Sequence, residues 1–209
     1  MKISLVIPTY EMHGVGVQML ERSLESLEQQ SFKDFEVIIS DNSDDHAIEN
    51  LIKDFKDLDL KYFRNPIKGM ATNTNYGMKQ SQGELIKVLY QDDYLATSSS
   101  LQEITDNFSP ADNWLVTACS NNPYPFYSEN RNTLGSPSCL TIRNEDPLLF
   151  NENLKWVLDL DYYKRMNRKY GVPKVLNVIG VIMGIGDHQD TNHLSNEIKQ
   201  NEENLVNWS

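Results

Sequence analysis

The sequence has few cysteines and little positive charge. Cys119 and Cys139 are the two cysteines among 209 residues, and they lack the paired spacing of zinc sites. We therefore expect two reduced, packed thiols and no disulfide. The chain has 19 Lys and Arg against 30 Asp and Glu, a net charge of −11. Because binding to nucleic acid needs clustered basic residues, this balance disfavours a nucleic-acid partner without excluding one.

The sequence also lacks long hydrophobic runs, repeats and low-complexity tracts. Its first apolar run, at residues 3–7, is too short for a signal-peptide core or a membrane span. Hydrophobic residues make up 39% of the chain and charged residues 23%, which is ordinary for a soluble globular protein. We expect a cytoplasmic chain folded as a single domain over residues 1–209.

Strand-like and helix-like segments alternate through the first 95 residues. Runs of apolar and β-branched residues predict strands at 2–7, 35–40, 60–63 and 85–90. Apolar residues at helical spacing predict helices at 17–31, 47–55 and 73–80. This alternation predicts a parallel sheet with right-handed crossovers.

The pattern changes beyond residue 95. A Pro- and Asn-rich stretch at 121–137 predicts a long loop, which is either a lid or a mobile connection. The remaining pattern predicts helices at 98–108, at 158–169 and from 194 onward, and strands at 114–119, 138–142, 175–179 and 181–185.

Two adjacent carboxylates, Asp92 and Asp93, follow the predicted strand at 85–90. Open α/β sheets bind their ligands at the carboxyl ends of their strands. Two ionised carboxylates side by side repel each other, and a divalent cation or a ring of hydrogen-bond donors is the usual compensation. This pair is therefore the leading candidate for the chemistry of the chain.

Two further strand ends carry polar clusters, at 8–11 (Pro-Thr-Tyr-Glu) and 41–45 (Asp-Asn-Ser-Asp-Asp). In a parallel sheet these clusters lie on the same edge as the acidic pair. An Asp there can accept from the ring N–H of a pyrimidine, and a Tyr can lie against the base. Each cluster alone also fits a loop, a turn with a helix cap or exposed charge. The three together favour a ligand site.

The joint pattern resembles that of the inverting family 2 glycosyltransferases. Their GT-A fold is an α/β three-layer sandwich with a mostly parallel central sheet and a Rossmann-like nucleotide-binding half. Residues 5–10 match the segment that opens this fold, and residues 35–43 match its second strand. Residues 69–77 match an Asn-bearing helix start, and residues 83–93 match the strand that leads to the family's Asp-x-Asp motif. This chain has Gln91 at the first Asp of that motif.

The resemblance implies a nucleotide-diphospho-sugar donor, with UDP as the expected nucleotide, and a Mn²⁺ or Mg²⁺ cofactor. Residues 1–95 would form the donor-binding half and residues 96–209 the acceptor-side half. Asp41 would bind the base, Asp92 the ribose or phosphate side, and Asp93 the metal. His188 would approach the diphosphate or the metal, although a solvated turn is an equal alternative. The full implied donor site is Pro8, Thr9, Tyr10, Glu11, Asp41, Asn73, Asn75 and Asp92.

Residues 156–161 resemble the segment that carries the family's catalytic base, which would fall on Asp159. Leu158 stands where the family commonly has Glu. Asp161 fits an acidic residue favoured at a helix N-terminus. The resemblance implies inverting transfer to a hydroxyl of a glycan, a lipid-linked saccharide or a small molecule, with a nucleic-acid acceptor disfavoured.

Two other functions stay open. A sugar-nucleotide pyrophosphorylase would need a Gly-rich, basic loop after the first strand, which residues 8–11 do not supply. A non-catalytic nucleotide-sugar binding module is the other alternative. Gly14 and Gly16 begin like a dinucleotide fingerprint, but Met19 occupies the third glycine position. We expect these glycines to let the loop above the nucleotide move.

Overall fold

The computed structural model describes residues 2–207, and within that range it contains one eight-stranded sheet. The strands are β1 Ile3–Thr9, β2 Phe35–Asp41, β3 Leu60–Arg64, β4 Leu85–Val88, β5 Tyr94–Leu95, β6 Trp114–Cys119, β7 Leu140–Arg143 and β8 Lys174–Ile182. The helices are α1 Gly16–Glu28, α2 Ala47–Leu51, α3 Met70–Gln80, α4 Ser100–Asn107, α5 Leu158–Tyr170, α6 Asp190–His193 and α7 Asn196–Asn207. The predicted α/β class is confirmed.

The first four strands form the parallel half of the sheet. The strand order is β3-β2-β1-β4-β7-β6-β8-β5, and β1 pairs in parallel with β2 on one side and β4 on the other. Every residue of β1 and β2 is buried, which explains why these strands read as nearly continuous apolar runs. Because the four strands run in one direction, the polar segments that follow them meet at one edge.

The second half of the sheet is mixed. β7 pairs antiparallel with both β4 and β6, whereas β8 pairs parallel with β6 and antiparallel with β5. The prediction of two strands at 175–179 and 181–185 is wrong, because the single strand β8 covers the first range and continues into the second, where it ends at Ile182. Its pairing with β6 shifts register around Ala118, and Gly180 lies close by, where a Cβ would be 2.8 Å from Oγ1 of Thr117. A glycine inside a strand marks such an irregularity, and the sequence pattern shows it as a break.

Aromatic packing holds α5 against the rest of the molecule. Trp114 stacks on Tyr163 with ring centroids 6.0 Å apart, and Phe150 stacks on Tyr162 at 4.2 Å. Trp114, Tyr162 and Tyr163 are among the largest fully buried side chains. Such aromatic pairs contribute about 0.5–1.5 kcal/mol each beyond their buried area. The first turn of α5 is therefore held at a defined place beside the sheet.

Cys119 and Cys139 are buried free thiols, as far as the described residues go. They lie under Gly135, whose Cβ, if present, would be 3.4 Å from one Sγ and 3.5 Å from the other. A hydrogen bond with Cys139 lowers the pKa of Cys119 to about 7. Among residues 2–207, no helix combines the length and the apolar character needed to cross a membrane.

Candidate active site

A cleft of about 420 Å³ opens at the carboxyl edge of the parallel strands. Its walls come from both halves of the chain, as expected for an α/β sheet that binds a ligand at this edge. Seven of the predicted site residues line it, namely Pro8, Tyr10, Glu11, Asn73, Asp92, Asp93 and Asp159. Thr9, Asp41 and Asn75 lie outside its lining, and His188 touches it through Asp92.

The acidic pair sits in the cleft with little access to water. Asp93 is 2% exposed and its Oδ1 accepts from the backbone N–H of Gly184 at 2.8 Å. Burial, followed by the neighbouring Asp92 carboxylate, raises the pKa of Asp93 to about 7. Burial also raises the pKa of Asp92, whose Oδ2 lies 3.3 Å from Nε2 of His188. The pair is thus a site of poorly compensated negative charge, which a cation would complement.

The donor atoms here fit a hard divalent cation shared with a ligand. Within the described part of the chain, no three His, Cys, Asp or Glu side chains converge into a closed metal cage. Mg²⁺ typically uses one or two protein carboxylates and completes its shell with substrate phosphates and water, and Mn²⁺ also favours oxygen ligands. Asp92 and Asp93 supply carboxylates of that kind, and His188 adds an imidazole beside them.

Gln91 joins the loop that bears Tyr10 to the end of β4. Its Oε1 accepts from the backbone N–H of Tyr10 at 3.0 Å, and its Nε2 donates to the carbonyl oxygen of Gly16 at 2.6 Å. An ionised Asp could accept the first bond but could not donate the second. The departure from the family's Asp-x-Asp motif therefore has a structural purpose, which the sequence motif alone did not indicate.

Gly16 is required by close packing at the start of α1. A Cβ there would lie 2.2 Å from the carbonyl oxygen of Tyr10 and 2.9 Å from Nε2 of Gln91. Gly14 adopts a positive φ of 97°, a conformation that favours glycine. Gly16 thus lies in a tightly packed turn, whereas a Cβ on Gly14 would meet nothing within 4 Å, and the expected movement of this loop stays a prediction.

Asp41 lies below the cleft in a dense hydrogen-bond network. Its Oδ1 accepts from the backbone N–H of Ser43 at 2.9 Å and from the Ser43 hydroxyl at 2.6 Å, and the Thr9 hydroxyl lies 3.3 Å away. Its Oδ2 accepts from the hydroxyl of Tyr62 at 2.7 Å. Burial and this bond raise the pKa of Tyr62 to about 12. Asp41 and Thr9 are both 0% exposed, while the next residue, Asn42, lines the cleft.

Asn73 and Asn75 have different structural roles on α3. Asn73 Nδ2 donates to the carbonyl oxygens of Thr9 at 3.1 Å and Ser40 at 2.7 Å, which ties the ends of β1 and β2 together. Asn75 exchanges two bonds with the backbone of Phe150, at 2.9 and 2.8 Å. This second Asn holds the segment before α5 against the first half of the chain, and it does not line the cleft.

Asp159 projects into the cleft from the first turn of α5. Its Oδ2 accepts from Nδ2 of Asn132 at 2.6 Å, and its Oδ1 accepts from the backbone N–H of Leu160 at 2.7 Å. Burial raises the pKa of Asp159 to about 6. Asp161 instead pairs with Arg165 at 2.7 Å. The two acids therefore have separate roles, and Asn132, from the long loop at 121–137, is a site residue that the sequence did not indicate.

Comparisons with known proteins identify the family of this chain. Residues 4–176 match the model of glycosyl transferase family 2. A GalNAc(5)-diNAcBac-PP-undecaprenol beta-1,3-glucosyltransferase of Campylobacter jejuni is 35% identical over 117 residues, which cover 52% of this chain and 36% of that protein. The chain thus spans about a third of the length of this relative.

Solved structures show the same fold. S. aureus TarS 1-349 in complex with UDP-GlcNAc aligns with a TM-score of 0.72 at 21% identity, covering 93% of this chain and 62% of that one. The mannosyltransferase PcManGT from Pyrobaculum calidifontis, in complex with GDP-Man and Mn²⁺, aligns with a TM-score of 0.69 at 15% identity, covering 88% and 57%. The predicted GT-A type of fold is confirmed. Since the family model spans most of its length, the chain belongs to glycosyl transferase family 2.

Proposed function

We propose that this chain transfers a sugar from a UDP-sugar to an acceptor hydroxyl, with inversion at the anomeric carbon. The observation that carries the proposal is the convergence of three groups in one cleft: Tyr10, the Asp92–Asp93 pair and Asp159. Each comes from a different part of the sequence, and each has a distinct task in glycosyl transfer. The UDP-GlcNAc complex of TarS and the glucosyltransferase name of the C. jejuni relative support this choice.

The nucleoside would bind at the end of the cleft formed by Pro8, Tyr10 and Asn42. The Tyr10 ring offers a face for the base, and the amide of Asn42 is held by donation to the carbonyl oxygens of Asn65 at 2.7 Å and Ile67 at 3.0 Å. Asp41 would act from below by fixing the end of β2. A rigid floor of this kind favours binding because little side-chain entropy is lost when the nucleotide binds.

The diphosphate would lie beside the acidic pair. Asp92 and Asp93 would hold Mn²⁺ or Mg²⁺, which stabilises negative charge on a departing diphosphate when bound. The Gly184 N–H fixes the Asp93 carboxylate, and His188 holds that of Asp92. Both side chains are therefore oriented before any ligand arrives, which lowers the cost of organising the site.

Asp159 would act as the general base. A pKa of about 6 leaves this carboxylate ionised at neutral pH while keeping it basic enough to take a proton. The acceptor hydroxyl would give its proton to Asp159 as its oxygen attacks the anomeric carbon from the face opposite the diphosphate. The bond from that carbon to the diphosphate oxygen breaks, and its electron pair leaves with the UDP. One displacement of this kind inverts the anomeric centre.

A second cavity, of about 390 Å³, gives the acceptor a place beside the base. Ser136 lines both cavities, and Asn132 lines the second while donating to Asp159. Asn121, Asn122 and the half-exposed ring of Phe126 add amide groups and an apolar surface. Most of the lining side chains are amides and hydroxyls, which can hydrogen-bond the hydroxyl groups of a saccharide. We propose a glycan or a lipid-linked saccharide as acceptor, in line with the undecaprenol-linked substrate in the name of the C. jejuni relative.

The test is release of free UDP from UDP-sugars in the presence of Mn²⁺, with and without candidate saccharide acceptors. Acceptor-dependent release that is lost in Asp159→Asn and retained in Asp161→Asn supports the proposal. If a UDP-sugar binds but no tested acceptor causes release of free UDP, the chain is instead a binding module. Failure of every UDP-sugar to bind would show that the donor class is wrong.

A further inference from the structure

The start of α5, which carries the proposed base, is capped by a side chain from the C-terminal helix. Val157 occupies the N-cap position and makes no side-chain cap bond. Instead, the Glu202 carboxylate of α7 accepts backbone N–H groups from Lys155 at 2.9 and 3.0 Å, Trp156 at 2.7 Å and Val157 at 3.3 Å. Glu202 is 7% exposed, so these bonds are shielded from water. One buried carboxylate thus satisfies three successive donors.

This cap matters because Asp159 follows the same donors by two to four residues along the chain. Helix N-termini leave backbone N–H groups unsatisfied, and carboxylates in the first turn are attracted to them. Asp159 lies two residues beyond the N-cap and already accepts from the N–H of Leu160 through Oδ1. With Glu202 in place, the preceding donors are occupied, and the second oxygen of Asp159 stays with Asn132 at the cleft.

The same helix also fixes one wall of the cleft. Trp156 Nε1 donates to Oε1 of Glu203 at 3.2 Å, and Nζ of Lys199 lies 5.0 Å from the centroid of the Trp156 ring. Lys164 of α5 donates to the carbonyl oxygen of Val206 at 2.6 Å, which ties the far end of α7 to the same region. Trp156 lines the cleft beside Asp159. α7 therefore contacts both the segment that precedes Asp159 and the cleft wall next to it.

We propose that Glu202 is a positioning residue for sugar transfer. It holds residues 155–157 so that Asp159 and Trp156 face the acceptor. The inference rests on the function proposed above. Because the donor site is built from strand ends in the first half of the chain, loss of Glu202 should affect the transfer step and acceptor use while leaving donor binding unchanged.

The kinetic test compares Glu202→Ala and Glu202→Gln with Glu197→Gln, a matched control on the exposed first turn of α7. Misplacement of a reacting group by about 1 Å can cost about 100-fold in rate, so we expect Glu202→Ala to lower kcat by about 10-fold or more. The KM for the UDP-sugar and the Kd for UDP should stay within about twofold of the wild-type values, because substitutions at distant, independent sites agree to about 0.3–0.5 kcal/mol. Glu202→Gln keeps one acceptor oxygen and should recover part of the turnover, and the control should match the wild type.

Hydrogen exchange supplies a readout that does not depend on activity. The amides of residues 155–157 should exchange slowly in the wild type and in Glu197→Gln, and faster in Glu202→Gln. Fast exchange of these amides in the wild type would overturn the proposal, even if both Glu202 variants failed to fold. Wild-type kcat in Glu202→Ala would also overturn it, as would an equal loss of turnover and UDP affinity. If the wild type releases no UDP, the proposed function fails, whereas the amide exchange still reports on the cap.

Discussion

Replacing Asp159 with Asn is expected to stabilise the fold at neutral pH while removing most of the transfer activity. Burial raises the pKa of Asp159 from its ordinary value of 3.8 to about 6. At 1.36 kcal/mol per unit, the ionised carboxylate costs the folded state about 3 kcal/mol at pH 7. Asn carries no charge, but it puts an amide where Asn132 now donates, which costs about 1 kcal/mol. The expected net gain is about 1–2 kcal/mol.

The pH dependence of this gain gives the stricter test. The folded pKa lies above the unfolded value, so the cost is absent below about pH 4, where the carboxyl is protonated in both states. The cost grows as the pH rises from about 4 to 6 and is complete above that range. Urea unfolding of Asp159→Asn and the wild type at pH 4, 5, 6 and 7 should therefore show an advantage for the variant that disappears toward pH 4.

Activity should change in the opposite direction. A general base contributes about 10²–10⁴-fold to a rate, so turnover should fall by at least about 100-fold, with UDP affinity unchanged. Wild-type kcat should decline as the pH falls through about 6, because the base becomes protonated. Asp161→Asn is the control, since loss of its 2.7 Å pair with Arg165 should lower stability at neutral pH and spare turnover. Two results together would refute the reasoning: Asp159→Asn is no more stable than the wild type at pH 7, and wild-type kcat does not change between pH 5 and 7.

Three further substitutions test the donor side of the cleft. Asp93→Ala should nearly abolish UDP release, and a chelator should do the same to the wild type until Mn²⁺ is added; full activity in excess chelator would contradict the metal assignment. Gly184→Ala should lower turnover strongly, because its Cβ would lie 2.1 Å from the carbonyl oxygen of Asp92, and wild-type kinetics in this variant would show that the contact relaxes freely. Asp41→Ala should weaken UDP binding in calorimetry and also lower the melting temperature, since Tyr62 loses a buried partner worth about 1–3 kcal/mol. If Asp41→Ala weakens UDP binding without lowering the melting temperature, Asp41 would instead contact the nucleobase of UDP directly.

The parallel half of the fold was predictable because its strands are buried on both faces and carry local apolar runs. β1 was predicted at residues 2–7 and spans Ile3–Thr9, since Pro8 and Thr9, which follow the apolar run, still pair with the end of β2. The two residues of β5 are too few to produce a periodic pattern. In β8, Gly180 interrupts the apolar pattern, so the sequence predicted two strands where the structure has one.

The sequence predicted those site residues that follow a strand or lie in a segment resembling one of the family. Tyr10, the Asp92–Asp93 pair and Asp159 come together as the sequence indicated. Gln91 and Glu202 could not be assigned, because their roles depend on partners that are distant in the sequence. Polar residues at strand ends look alike whether they face a ligand or a buried network, and Asp41 illustrates this ambiguity.

The contact between Glu202 and the start of α5 also bears on how the molecule is made. It joins residues that are 45 to 47 positions apart, from the middle of the second half to its last helix. Chains emerge from the ribosome N-terminus first, at about 5–20 residues per second. The strand ends at 8–11, 41–45 and 91–93 are therefore complete several seconds before α7 exists. In a growing chain, the strand ends that we propose bind the donor are therefore synthesised before the helix that we propose holds the base in position, and the cleft is completed only when its later wall residues are added.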